Sequence, residues 1–555
     1  MIAAIIIFAY SFLLFYYYGF AVIKGLLNLL GVNQSEKLSI PTLTLVGVAV
    51  VTILASALNL VMPLGLVFSI FLFIGGIIIY FLMHPFKQVD TYRRPASVWI
   101  LLILAVLTVL EIATHRPNVS DTALYHAQTI RWFETYPAVP GLGNLHHRLA
   151  FNSSWLVLNA AFSFAYLGFR SFHFMGAILL LICLFYFVEG LADFFQSRLS
   201  WSGAIKVLCI PLSFHLFSSE VSSPAYDMPV SLLIFVIVIL WIEMIEEGSE
   251  FGGRAVAVFL LSIFLLTIKL SALPILGFPV WILIKQFRNN SWRRVAILFS
   301  LALLTTAPWM IRSLILSGYL FFPLSQIDLF SFDWKVPLEQ VESVRNGIVG
   351  FARLPGRDWQ TALTMTPSQW VPVWFENLTF NQQGIFTLAL FSPILLWLAR
   401  FVSPIAISKQ YVYGYCILYA GVIFWFLSAP DIRFGYGYVA GVCVFVMSLF
   451  LIALFHKIGP NLKLPTYVTC LALIVFQGYT LSHSLELSTI RERIFLPSDY
   501  IRSRADACDI SNGTVYCRVE GGQCNYDKFP CIPSPRPYVE MRGPTFQDGF
   551  RVGSK

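Results

Sequence analysis

The sequence predicts an all-α polytopic membrane protein of about fourteen spans, with a large external loop segment and a small disulfide-containing external domain at its C-terminal end. Three observations predict it. Of 555 residues, 57% are hydrophobic and only 12% are charged, with a mean hydropathy of +0.74, too few charges to wet the surface of a soluble protein of this length. Apolar runs recur that reach the roughly 20 residues needed to cross a hydrocarbon core of about 30 Å. Four of the nine cysteines crowd into the polar tail.

Taking the chain in order, the opening run MIAAIIIFAYSFLLFYYYGF has no basic flank and no small-residue cleavage site. It is expected to stay as a first helix, not to be removed as a secretory signal. Spans are expected near residues 2–27, 41–60, 62–83, 96–113, 171–197, 204–217, 228–246, 255–270, 272–286, 294–316, 384–402, 411–429, 434–455 and 466–482. With the loop after the fourth span placed outside, the basic residues sort to the other face. Lys24 and Lys37, then Lys87, Arg93 and Arg94, then Arg198 and Lys206 come out cytoplasmic. So do Lys285, Arg288, Arg293 and Arg294, then Arg400 and Lys409, then Lys457 and Lys463, as the positive-inside bias requires. Residues 153–169 must then lie in the interface or re-enter, because a crossing there would invert every later loop. Both termini come out external. The formal charge of +8 has its source in this sidedness and is no evidence for nucleic acid.

The stretch from Glu111 to Trp155, EIATHRPNVSDTALYHAQTIRWFETYPAVPGLGNLHHRLAFNSSW, is rich in groups capable of chemistry. Asp121, in Ser120-Asp121-Thr122, could simply cap a short helix carrying His126, Ile130 and Phe133. A carboxylate at a membrane surface, with Glu111 one span-end away, could instead take a proton from an acceptor hydroxyl or hold a divalent cation. His146, His147 and Arg148 add cations for phosphate, or a second base.

Four other external span ends carry polar groups. SSEVSSPAYDMP holds Glu220 and Asp227, and TIKLSALP holds Lys269, where an unpaired ammonium would be expensive. APWMIRSLILSGYLFFP holds Trp309 and Arg312, and SAPDIRFGYG holds Asp431 and Arg433. Lys269, Arg312 and Arg433 together suit an anionic head group, since the guanidinium fork pairs bidentately with phosphate. The plainer alternatives are an Asp431–Arg433 ion pair and a Lys269 that snorkels to the interface.

The largest external insertion, about residues 321–383, combines the helix-like VPLEQVESVRNGIVGFARL with Trp334, Trp359, Trp370 and Trp374. These fit either an interfacial lid or a small packed core. In the tail, Cys508, Cys517, Cys524 and Cys531 lack a CxxC knuckle and a nearby histidine. Two disulfides are therefore favoured over a zinc site, with three connectivities open, and they place the tail in an oxidising compartment. The other five cysteines are scattered through apolar helices as small hydrophobes.

In order, then, stand an acidic residue in the first large external loop (Asp121), a second opening a later span (Asp227), and a lysine in a TxKxS turn (Lys269). PWxxRSxxxSGxxFFP follows from Pro308 to Pro323, and then a late APDxRF turn. This series resembles the GT-C superfamily of integral-membrane glycosyltransferases, from about residue 96 to 455. The tail sequence VEMRGPTFQDGFRV is similar to that of a large group of bacterial membrane proteins.

The resemblance implies a GT-C-like fold and transfer of a sugar from a polyprenyl-phosphate carrier to a glycan or lipid-linked acceptor. The reaction would be an inverting displacement on the non-cytoplasmic face. It implies Asp121 as base, Asp227 as supporting carboxylate, and Lys269, Arg312 and Arg433 as the carrier-phosphate site. Glu111, His146, His147 and Arg148 would stand beside them, with His126, Glu220 and Asp431 as further candidates. Two departures matter. Three spans precede the family's first helix, and Asp121 is followed by Thr122, not by a DxD pattern, which leaves a divalent cation (Mg or Mn) as the one cofactor open.

On this reading residues 1–95 are N-terminal helices outside the family core, and 96–320 form the core with a catalytic loop at 114–170. An external segment at 321–383, further helices at 384–482 and an extracytoplasmic domain at 483–555 complete the chain. The expected partners are a lipid-linked sugar donor, a glycan or lipid acceptor and membrane lipids, and the expected location is a bacterial plasma membrane. A polymerase or ligase of surface polysaccharide would instead centre on His146, His147 and Arg148. A lipid-linked glycan transporter would need ionisable groups at mid-membrane, whereas here they gather at external span ends. No Walker-type nucleotide motif is present.

Overall fold

The computed structural model describes all residues except 33–37, 89–94, 169–171, 249–250, 460–461, 487, 511–512, 519–522, 535–537 and 554–555. Lys37, Arg93 and Arg94 of the sidedness argument lie outside the described residues, as do the side chains of Lys87 and Cys508.

Thirteen helices among the described residues are long and apolar enough to cross a membrane, from Ile2–Leu30 to Lys463–Ser484. The chain is an integral, all-α polytopic membrane protein. Helices apolar all round belong in the middle of a bundle. Asp227–Glu246 is the case in point, with 89% of its apolar window buried, while Leu66–Met83 is 22% buried and lies at the periphery.

The expected span near 255–270 is the helix Gly253–Ile268, at 16 residues shorter than the thirteen. Arg254 at its start pairs with Glu243 and Lys269 at its end pairs with Asp227, so it runs antiparallel along the length of Asp227–Glu246. Lys269 ends it with an extended backbone (φ −154°, ψ 131°), and a tight turn, Leu270–Leu276, containing Pro274 leads into Gly277–Arg288. One correction concerns Lys206, placed by the sequence in a cytoplasmic connection. It lies inside the helix Trp201–Phe217, buried, with Nζ 3.0 Å from Glu189 Oε2 and 2.6 Å from Glu243 Oε1.

Between the fourth and fifth spans the segment required not to cross forms the eight-residue helix Ser154–Ala161, every residue of it buried. It is inserted among the helices Ile40–Leu58, Ala127–Thr135 and Gly253–Ile268.

Residues 321–383 contain the helices Leu338–Arg353, Trp359–Thr364 and Pro367–Glu376. The tryptophans at 370 and 374 are buried against Trp425, Phe386 and Phe426, a packed core and not a free lid. Burial there does work at a distance: Trp374 Nε1 donates to the Pro430 carbonyl at 2.7 Å and steadies the turn before Asp431.

The tail holds an antiparallel hairpin, β1 (Ala505–Ile510) with β2 (Gly513–Arg518). β3 (Cys531–Ile532) runs parallel to β2, and β4 (Val539–Met541) pairs antiparallel with β5 (Phe550–Val552). Cys524 is bonded to Cys531, and Cys517 is also disulfide-bonded.

Candidate active site

Asp121 opens a widened turn, Thr122–His126, in which the Ala127 N–H bonds the Thr122 carbonyl in an i→i+5 pattern before the helix Ala127–Thr135 resumes. Such turns are rare and recur at functional sites. Asp121 makes no side-chain cap bond, so the plain capping alternative fails. Its Oδ1 accepts from Arg148 Nη1 at 3.3 Å and its Oδ2 lies 4.0 Å from Arg433 Nη1.

Arg433 is also held by Asp431, Nη2 to Oδ2 at 3.0 Å, while Asp431 Oδ1 caps the helix Ile432–Ile458 through the Arg433 N–H at 3.1 Å. The plain ion pair therefore exists, and the same guanidinium faces Asp121 as well. Trp425 Nε1 donates to the Asp431 carbonyl at 2.8 Å and fixes the turn.

Beside this group Lys269 Nζ donates to Asp227 Oδ1 at 2.5 Å and sits 3.5 Å over the Phe434 ring centroid. It is paired inward and does not snorkel. Glu220 is buried and accepts the Met228 N–H at 3.0 Å, capping the span that Asp227 opens.

Two tyrosines knit the cluster. The Tyr125 and Tyr226 hydroxyls are 2.8 Å apart, and Arg148 lies 5.6 Å over the Tyr125 ring. Burial pushes both phenols well above their ordinary values, so they stay protonated. His126 packs on both rings, at 4.3 and 5.2 Å, with Thr122 Oγ1 3.3 Å from its Nδ1. Its Nε2 has no hydrogen-bond partner among the described residues. Burial drives its pKa down to about 4, so the imidazole is neutral near pH 7. Sequence reasoning missed Tyr125, Tyr226 and Phe434, although each tyrosine directly precedes a residue it singled out.

The structure thus brings together Asp121, His126, Arg148, Glu220, Asp227, Lys269, Asp431 and Arg433. It does not bring in Glu111. That carboxylate is buried and bonded to Arg493 Nη2 at 2.7 Å and His115 Nε2 at 3.2 Å, fastening the segment Ile490–Arg493 to the end of the fourth span. Arg312 is fully buried, its Nε bonded to Asn152 Oδ1 at 2.6 Å and its guanidinium over Phe133, while its Nη1 and Nη2 have no hydrogen-bond partner among the described residues. His146 and His147 lie ring to ring at 4.4 Å, and Arg148 is the member of that run that reaches Asp121.

Three cations facing four carboxylates can hold an anionic ligand and move a proton. They do not fit a metal: Asp121 and Asp227 are turned to cations, and no group of three or more His, Cys, Asp or Glu among the described residues is disposed around an ion.

A family model described as a domain of unknown function, DUF8201, matches residues 1–440. No curated protein matches the sequence. Among solved structures the chain is similar to the cryo-EM structure of the arabinosyltransferase EmbB from Mycobacterium smegmatis. Identity is 12% and the TM-score 0.25, over 69% of this chain and 44% of that one. The chain therefore spans less than half the length of that protein.

Proposed function

We propose, for a chain that belongs to the DUF8201 family, that it is a membrane glycosyltransferase of GT-C type. It would move a sugar from a polyprenyl-phosphate carrier to a glycan or lipid-linked acceptor on the non-cytoplasmic face. One observation carries the reading. Asp121, on the loop after the fourth span, meets Arg148 and Arg433 beside the Lys269–Asp227 pair, a carboxylate and a set of cations within one cluster.

An inverting displacement at an anomeric carbon needs both. The acceptor hydroxyl gives its proton to the Asp121 carboxylate as its oxygen bonds C1. The bond from C1 to the carrier phosphate breaks, and its electrons leave on the phosphate, where Arg433, Arg148 and Lys269 oppose the charge. The same two arginines face Asp121, Arg148 at 3.3 Å and Arg433 at 4.0 Å. A phosphate that takes their N–H groups releases the carboxylate to act as a base, so donor binding primes acceptor activation. The motif series that resembles GT-C enzymes supports the same roles for Asp121, Asp227, Lys269 and Arg433.

The test is mass spectrometry of lipid-linked and surface glycans from a deletion strain complemented with wild type or Asp121→Asn. The expected result is one glycan lost on deletion and not restored by inserted Asp121→Asn protein. Glycan profiles indifferent to the deletion would remove the reading.

A further inference from the structure

The disulfide-closed loop of the C-terminal domain, Cys524 to Cys531, seats on the turn that carries Asp121 and His126. The Asn525 N–H bonds the Ala123 carbonyl, inside the widened turn, at 2.8 Å. One turn further on, Gln128 is buried and fully engaged by the same loop. Its Nε2 donates to the carbonyls of Asn525 and Lys528, both at 2.8 Å, and its Oε1 accepts the Cys531 N–H at 2.9 Å. Arg131 donates to the Tyr526 and Asp527 carbonyls at 2.5 and 3.1 Å and lies over the rings of Tyr526 and Phe529.

Every partner of the Gln128 amide is a backbone group between the two cysteines or on one of them. Their mutual spacing depends on the conformation of the loop, and the disulfide removes most of the freedom that the open loop would have. A buried amide left without these partners would bear its full desolvation penalty, so the helix is held to the loop, and the loop to the helix. We infer that this loop is a positioning clamp for the Asp121 turn, with Gln128 the residue through which it acts. Its catalytic consequence rests on the function proposed above; its hold on the turn does not.

The experiment is hydrogen–deuterium exchange on the full-length protein, read at residues 122–131. It compares the oxidised protein, the protein reduced with a phosphine (which becomes the phosphine oxide as each disulfide becomes two thiols), Gln128→Leu and Gln128→Glu. Reduction also opens the bond at Cys517, so the paired Cys524→Ser, Cys531→Ser variant isolates the loop. Exchange there should rise about tenfold or more on loop opening and in Gln128→Leu. Gln128→Glu, which keeps the acceptor for Cys531 but loses both donors, should fall between. Unchanged exchange, or a rise spread over all the helices, overturns the clamp. For sugar transfer, kcat should fall about tenfold in Gln128→Leu with KM for the donor unchanged and partial recovery in Gln128→Glu. A faster-exchanging turn with unaltered kcat also overturns the positioning role. Faster exchange in a protein whose wild type transfers no sugar supports the clamp on the turn and retires the proposed function instead.

Discussion

Arg433 stands 4.0 Å from Asp121 while holding Asp431 at 3.0 Å with the same guanidinium. It is thus anchored on one side and available on the other. Asp121, Arg148 and Arg433 are each about a third exposed (32, 34 and 34%), whereas Lys269 and Asp227 are 18 and 14% exposed. The first three form the mouth of the cluster and the pair behind them its wall.

That division assigns different kinetics to different residues. Asp121→Asn should cost about 10²–10⁴ in kcat, the range of a lost general base, with little change in KM. Arg433→Ala should raise KM for the donor about tenfold to a hundredfold, since a charge-assisted bond is worth roughly 1.5–3 kcal/mol. Arg433→Lys keeps the charge without the fork and should recover part of it. Because the same guanidinium opposes the charge on the leaving phosphate, kcat should fall at Arg433 as well; steady-state kinetics on purified protein decide, and an unchanged donor KM at Arg433→Ala or full kcat at Asp121→Asn would overturn the assignment.

The wall makes a stability prediction. Lys269→Met or Asp227→Asn leaves a largely buried charge or its desolvated partner alone, at a cost of about 3 kcal/mol, while the double replacement should cost less than either single one. Thermal unfolding in detergent measures the coupling. Strict additivity would mean that the 2.5 Å contact carries no energy of its own.

Much of this was legible in the sequence, and the reason is chemical. Ionisable residues at apolar span ends are expensive, so Asp121, Asp227, Lys269 and Arg433 stood out against a hydrocarbon background and did converge. Glu111 stood out equally and did not, because its partner Arg493 lies far along the chain and nothing local announces it. The seating of the tail on the Asp121 loop was invisible, since most of its polar contacts end on backbone carbonyls and N–H groups that carry no sequence signal.

Glu111 separates structure from chemistry. Glu111→Gln should lower the unfolding temperature, because fully buried Arg493 loses its counter-charge at a cost of about 3–5 kcal/mol. Its kcat and KM should match wild type once measured below the new transition. A selective loss of kcat at full stability would return Glu111 to the site.

Acid should weaken the fold through two buried imidazoles. Burial lowers His126 to about 4 and His173 to about 3, while both titrate near 6.5 in the unfolded chain. The unfolded state therefore binds protons first as pH falls. Stability from these groups is complete above 6.5 and declines below it, by up to about 1.4 kcal/mol per pH unit for each histidine. Glu220, which burial raises to about 7, titrates in the same window with the opposite sign, so the histidine contribution is read as the difference between wild type and the histidine variants. Melting curves should steepen their pH dependence there, and His126→Gln with His173→Gln should flatten it; an unaltered slope would place the acid sensitivity elsewhere.

The tail closes on the loop at a backbone junction between Pro140 and Phe550. Gly141 and Gly549 face each other across that junction, both left-handed (φ +64° and +92°), with the Phe550 N–H bonded to the Pro140 carbonyl at 2.9 Å. A Cβ on Gly141 would lie 2.0 Å from the Phe550 carbonyl oxygen, and one on Gly549 would lie 2.1 Å from that of Pro140. Backbone cannot yield as a flexible side chain can, so Gly141→Ala and Gly549→Ala should each separate β5 from the loop. Gly356 supplies the control, since it is also left-handed (φ +80°) but a Cβ there meets nothing within 4 Å. Gly356→Ala should cost only the backbone term, about 1–2 kcal/mol. Limited proteolysis should release C-terminal fragments from the first two variants and leave the third intact. Equal behaviour of all three would mean that backbone handedness, not close approach, sets the effect, and the junction would lose its claim to hold the tail in place.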